Sequence, residues 1–300
     1  MRREIPKITI LLATYNGVKF IDEQLASLIA QIDVQIEIHV NDDGSTDGTL
    51  ERLDYWKQEG LIKTLTHSQH IGATRAFLKL LRESQGQGPV AFCDQDDVWA
   101  SDKLISQVNS LENDMPMLVS CKRRYIDSLG KNIGASKDLS FQPNFLNALV
   151  ENVVPGNSMM LNQKAVTLIN KYENPEITHY DSWIYLLLAA LGECKYISRD
   201  LLWYRIHEKN VVGLRKFRCK EILSSVRNFG RQAIYFRSVV GVELPRESSL
   251  ELMRIISIFE KGFTLTNAYR LFKLRLNRQR TFDRIGFRIT LLVAMLTKKL

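Results

Sequence analysis

Cysteine is scarce and dispersed. The four in this 300-residue chain, Cys93, Cys121, Cys194 and Cys219, form no Cys-x-x-Cys pair. That excludes a zinc-ribbon spacing and a disulfide framework and leaves a reducing, cytoplasmic setting as the expectation. Long hydrophobic runs are missing too. The longest, 184–191 and 291–296, fall well short of the ~20 residues that cross a bilayer. Only a strand-length apolar segment follows Arg2-Arg3, so no signal peptide is read there. Nor does a glycine-rich basic loop follow the first apolar run, because Ala13-Thr14-Tyr15-Asn16-Gly17 carries no Lys or Arg before Lys19. That argues against a nucleotidyltransferase, the rival enzyme class that also uses a metal on a doubly wound sheet. His39, His67 and His70 lack the third partner a metal needs and read as structural.

What is present is an ordinary globular composition, 45% hydrophobic and 25% charged, enough for one large domain or two. Charge is unevenly placed. Residues 214–300 hold 19 Lys+Arg against 6 Asp+Glu, a net +13, while the whole chain is +8 and residues 1–213 are therefore −5. Two domains are expected on this basis, 1–213 and a basic, mainly helical 214–300.

Apolar runs at 7–12, 34–40, 61–66, 89–93 and 117–126 read as strands. Helical spacing marks 18–31, 49–57, 73–82 and 102–111 between and after them. Such alternation predicts an α/β fold with a doubly wound, mostly parallel sheet. In that sheet the turns at 13–17, 42–47 and 94–97 share the carboxyl edge, where open α/β sheets bind ligands. The third turn, Asp94-Gln95-Asp96-Asp97, packs three carboxylates into four residues. Two readings stand for it: a solvated, helix-capping loop, or an oxygen-ligand site for Mg²⁺ or Mn²⁺ whose remaining ligands are substrate phosphates. Asp42, Asp43, Ser45 and Thr46 equally suit a helix cap.

Thr14-Tyr15-Asn16-Gly17, Asp42-Asp43-Gly44-Ser45-Thr46-Asp47-Gly48-Thr49 and Asp94-Gln95-Asp96-Asp97-Val98-Trp99 together resemble the family 2 glycosyltransferases of GT-A fold, especially the bacterial rhamnosyltransferase-like members. The resemblance runs from Lys7 to about Gly213. It implies a nucleotide site at Ala13, Tyr15 and Asp43, with Tyr15 on the base, Asp43 accepting from a ring N–H, Asp96 near the ribose and Arg75 toward the diphosphate. It implies a divalent cation on Asp97, with Asp94 and His207 beside it. It also implies an inverting transfer from a UDP- or dTDP-sugar to a glycan or lipid-linked acceptor.

Farther on, Gly156 in the 153–160 turn reads either as a bend or as a close approach to sugar. Asp181, in His179-Tyr180-Asp181-Ser182-Trp183, reads either as a helix cap or as the general base, with His179 and Trp183 on the acceptor side. In Trp203-Tyr204-Arg205-Ile206-His207, the resemblance gives Arg205 to phosphate charge. A non-catalytic glycan- or membrane-binding scaffold would be expected to lose the acidic turn or Asp181, and both are present.

Beyond 214, helices are expected at 220–240 and 248–261. Seven basic residues between 270 and 288 then alternate with Leu, Phe and Ile. That mixture predicts a peripheral, anionic-membrane contact on the inner face; a homo-oligomerisation tail is the competing reading. Nucleic acid is not expected as a partner.

Overall fold

The computed structural model describes residues 5–84, 88–172, 179–208, 219–261, 264, 266–267, 289 and 291–292. Two compact units emerge: Met1–Asp138 with Val154–Leu188 and Gly192–Val211, and Leu139–Val153 with Ala189–Leu191 and Val212–Leu300.

The first unit begins with the expected alternation. Strand β1 (Lys7–Thr14), helix α1 (Ile21–Ile29), β2 (Gln35–Asp42), α2 (Thr49–Gln58), β3 (Ile62–His67), α3 (Ala73–Glu83) and β4 (Val90–Asp94) follow one another. β1 pairs in parallel with β2 and with β4, and β2 pairs in parallel with β3. Ile8, Ile10, Leu11 and Leu12 of β1 are all fully buried, as a strand covered on both faces requires. α1 covers one face with Ile21, Leu25 and Leu28, and α3 turns Ala76, Phe77, Leu80 and Leu81 inward. α1 starts three residues later than its spacing suggests, because the N–H groups of Phe20 and Ile21 both close back on the Gly17 carbonyl.

The second half of the sheet is mixed. β5 (Val98–Trp99), α4 (Lys103–Val108), β6 (Met117–Ile126), β7 (Asn132–Ala135), α5 (Phe145–Val150), β8 (Met160–Leu161), α6 (Gln163–Lys171), α7 (Tyr180–Leu191) and β9 (Glu193–Arg205) complete the order. The strands run β3-β2-β1-β4-β8-β6-β9-β5, with β7 on β6. β8 is antiparallel to both neighbours, β5 to β9 and β7 to β6, whereas β6 and β9 are parallel. Part of 128–140 therefore forms the β6–β7 hairpin, with Gly130 at φ 81° in its turn. Helix α7 is buried all round from Trp183 to Leu188.

In the second unit, α8 (Cys219–Val240) and α9 (Arg246–Lys261) match the helices expected there. Phe229 meets Phe259 at 5.5 Å and Phe145 meets Phe236 at 5.7 Å. Among the described residues no helix is long and apolar enough to cross a membrane. The basic, apolar-interleaved stretch at 270–288 lies outside the described residues.

Candidate active site

The polar turns are sewn to one another before any ligand is considered. Thr14 Oγ1 donates to Asp42 Oδ1 at 2.8 Å, and the same carboxylate accepts from the Ser45 hydroxyl and N–H. Asn16, at φ 49°, accepts from the Thr46 N–H at 2.9 Å. The Gln95 amide clasps the Tyr15 backbone at both ends, 2.8 and 2.9 Å. Ala13 lies level with Asn41 on one side and Asp94 on the other. These bonds fix the carboxyl ends of β1, β2 and β4 against each other.

Asp43 is buried, and its carboxylate accepts from Ser68 Oγ and from the Ile71 and Gly72 N–H groups at 2.7–2.8 Å. These bonds shape the 68–72 turn. That turn places the His70 ring 4.4 Å from Tyr15, whose side chain is exposed. The two rings, tilted 39° to each other, form an aromatic shelf at the sheet edge. His70, read from sequence as structural, belongs to it. Arg75 is exposed in the first turn of α3.

In the acidic turn the three carboxylates have three different environments. Asp97 is wholly buried; Asn157 Nδ2 donates to one oxygen at 2.6 Å and the Arg205 N–H to the other at 3.1 Å. Burial, then the Asp96 and Asp94 charges, push its carboxyl well above the usual range. These two bonds brace the turn against Asn157 and β9. Asp96 is the presented carboxylate: its Oδ2 lies 2.7 Å from Nε2 of His207. Asp94 ends β4, and burial first, then Asp96 and Asp181, raise its carboxyl to about 7.

Arg205 is also not free for phosphate. Only 1% of its side chain is exposed. It donates to Glu23 at 2.6 Å, to the Asp96 carbonyl at 2.8 Å and to the Asp127 carbonyl at 3.3 Å, with Phe20 beneath it. Its work is to hold the backbone of the acidic turn so that Asp96 faces His207.

The opposite wall comes from α7 and the 153–160 turn. Tyr180 is buried against Phe77 at 4.5 Å and Phe92 at 5.1 Å. A Cβ on Gly156 would overlap the Tyr180 hydroxyl, so this glycine makes room for a tyrosine of the protein rather than for sugar. Trp183 is buried, its indole donating to the Tyr172 carbonyl at 3.2 Å; it is not an acceptor wall. His179 occupies the N-cap position without a side-chain cap bond and is exposed. Asp181 is therefore not the cap. It lies in the first turn of α7, partly exposed, and its charge reaches Asp94.

The sequence reading missed the contacts of Asn157 and Tyr180. Asn157 was legible as the one amide in an apolar turn; Tyr180 owes its place to helix packing. Among the described residues no group of three or more His, Cys, Asp or Glu is placed to hold a metal. Asp96 with His207 makes two, which suits a cation that takes its other ligands from substrate phosphates and water.

Comparison with known proteins adds the family. Residues 9–171 match the profile of glycosyl transferase family 2. The dTDP-rhamnosyl transferase RfbG of Shigella flexneri is 30% identical over 232 residues, 72% of this chain and 79% of that protein. A UDP-Glc:alpha-D-GlcNAc-diphosphoundecaprenol beta-1,3-glucosyltransferase, WfgD of Escherichia coli, is 26% identical over 68% of this chain and 79% of its own length. The fold matches S. aureus TarS 1-349 in complex with UDP-GlcNAc, TM-score 0.61 at 15% identity, over 97% of this chain and 92% of that one. It also matches the mannosyltransferase PcManGT of Pyrobaculum calidifontis in complex with GDP-Man and Mn²⁺, TM-score 0.56 at 19% identity, over 98% and 88%. With the profile spanning more than half its length and the sewn turns at one sheet edge, this chain belongs to glycosyl transferase family 2.

Proposed function

We propose that the protein is an inverting glycosyltransferase that moves a sugar from a dTDP- or UDP-sugar to a glycan or lipid-linked acceptor in cell-surface polysaccharide synthesis. The observation that carries the reading is the Asp96–His207 pair, 2.7 Å apart, at the same sheet edge as the exposed Tyr15–His70 shelf. The nucleotide base stacks on that shelf, and Arg75 faces the diphosphate. Asp96 and His207 would hold Mg²⁺ or Mn²⁺, with Asp94 beside them, and a cation bound there would supply positive charge against the leaving diphosphate. Asp181 takes the proton from the acceptor hydroxyl as that oxygen attacks the anomeric carbon opposite the leaving group. Its place in the first turn of α7 favours the ionised carboxylate, and Asp94 nearby opposes it. Names of relatives support the donor class, dTDP for one and UDP for another. The basic tail supports a working place at an anionic membrane surface, where lipid-linked acceptors reside.

A thermal-shift screen tests the donor class. A bound donor stabilises by mass action, so dTDP- or UDP-sugars with Mn²⁺ should raise the midpoint and EDTA should reduce the rise. A flat response to dTDP-, UDP- and GDP-sugars removes the reading.

A further inference from the structure

We infer that Arg123 recognises the transferred sugar, its guanidinium donating to ring hydroxyls of the bound nucleoside-diphosphate sugar. The inference rests on the donor reading above and deepens it.

Strand β6 carries three consecutive cations with different fates. Lys122 lies 3.1 Å from Asp138 and 3.8 Å from Asp200, and Arg124 lies 2.9 Å from Asp200. Arg123 alternates to the other face, as successive strand residues do. Its guanidinium carbon sits 5.2 Å from the centre of the Tyr204 ring. It is half-buried, and among the described residues no acceptor engages its guanidinium; only its backbone is bonded, to Ser136. Five N–H donors so placed are matched when a ligand brings acceptors. Across β8, Leu118 lies level with Val90 and Val119 with Ala91, so Arg123 lies farther along β6 toward the sheet edge at which β4 ends in Asp94.

Strand order says which part of the donor fills it. The Tyr15–His70 shelf follows β1 and β3, Asp94 ends β4 and Asp96 follows it, and β6 stands two places beyond β4. With strands about 4.8 Å apart, a ligand stacked by its base on Tyr15 and held by its phosphates at Asp96 extends its sugar toward β6. Tyr204 supplies a ring face there, Arg123 a planar fork of donors and Asp94 an acceptor. Vicinal hydroxyls suit such a fork, which a lysine's point charge does not reproduce.

Calorimetric titration separates sugar recognition from nucleotide binding. Wild type, Arg123→Gln and Arg123→Lys are titrated with dTDP, UDP, dTDP-rhamnose, dTDP-glucose, UDP-glucose and UDP-GlcNAc, each with Mn²⁺. Both variants should keep the wild-type affinity for the free nucleotide, which also shows that they are folded. For the sugar nucleotide that wild type binds, affinity should fall about 10- to 100-fold in Arg123→Gln, the range for a hydrogen bond to a charged group. The loss should be smaller in Arg123→Lys. An unchanged ratio of sugar-nucleotide to nucleotide affinity overturns the assignment. So does an equal loss for both ligands. Wild type that binds none of the six ligands removes the donor reading itself, and this inference with it.

Discussion

Asp96 and His207 stand 111 positions apart in the chain, yet their side chains meet at 2.7 Å. The contact exists because β9 brings His207 back past the acidic turn, where Arg205, two residues earlier, grips the Asp96 carbonyl. Two potential ligands already in contact need little reorganisation to share a cation. His207→Ala should therefore leave metal-free stability close to wild type and abolish the extra donor affinity that Mn²⁺ confers. Titration of nucleotide with Mn²⁺ and with EDTA reads this directly; equal Mn²⁺ stimulation in variant and wild type contradicts it.

Asp96 and Asp97 are neighbours with opposite expected phenotypes. Asp97→Ala strands the Arg205 N–H and the Asn157 amide inside the protein, each at a cost of about 1–3 kcal/mol. The loss of a carboxylate that burial disfavours offsets part of this. Urea denaturation should show Asp97→Ala less stable by about 2 kcal/mol. Asp96→Ala should unfold near the wild-type midpoint while losing metal-dependent turnover. The reverse order of stabilities would mean that the brace and the ligand have been exchanged.

The raised carboxyl of Asp94 predicts a pH dependence. Its ordinary value is 3.8 and its value in the fold about 7. Between these the folded protein binds more protons than the unfolded chain, so stability falls as pH rises from about 4 to about 7. Asp97, also raised, acts in the same direction. Asp94→Asn removes one buried charge. With EDTA present it should match wild type at pH 4 and exceed it at pH 8 by roughly 2 kcal/mol, a three-unit shift being worth about 4 before solvent screening. Denaturation curves at pH 4, 6 and 8 check this; a constant difference across that range contradicts it.

Gly156 and Tyr180 share one volume. Gly156→Ala should cost about 1–3 kcal/mol through overpacking, whatever the substrate. If instead stability is unchanged and only acceptor affinity falls, the glycine serves the sugar after all.

Much of the first half of the fold was legible because it rests on local signals. Apolar runs such as 7–12 and 34–40, separated by helical spacing, leave few alternatives to a parallel sheet. β5 and β9 were not legible. Val98–Trp99 is too short to carry a period, and Glu193–Arg205 mixes polar residues with apolar ones because its two faces meet different surroundings. The same gap explains the site. The acidic turn was found by its composition, but which carboxylate faces outward depends on Arg205 and Asn157, residues that reach it from 108 and 60 positions away. Asp43, Gly156 and Trp183 were found as notable residues, but the contacts each makes within the protein, with Ile71 and Gly72, with Tyr180 and with Tyr172, were not legible. The Tyr15–His70 shelf needed the αL turn at His70, φ 33°, which no short motif announces.

The central claim is that this site uses a nucleoside-diphosphate sugar as donor and Asp181 as base. The most direct measurement is release of dTDP or UDP from sugar donors by purified wild type and Asp181→Asn, each with Mn²⁺ and a glycan or lipid-linked acceptor, beside titrations of donor affinity. The account predicts metal-dependent release by wild type and nearly unchanged donor affinity in Asp181→Asn, with turnover lowered about 10²- to 10⁴-fold, the range for a positioned base. Normal turnover by Asp181→Asn, or release by wild type that EDTA leaves untouched, would contradict it.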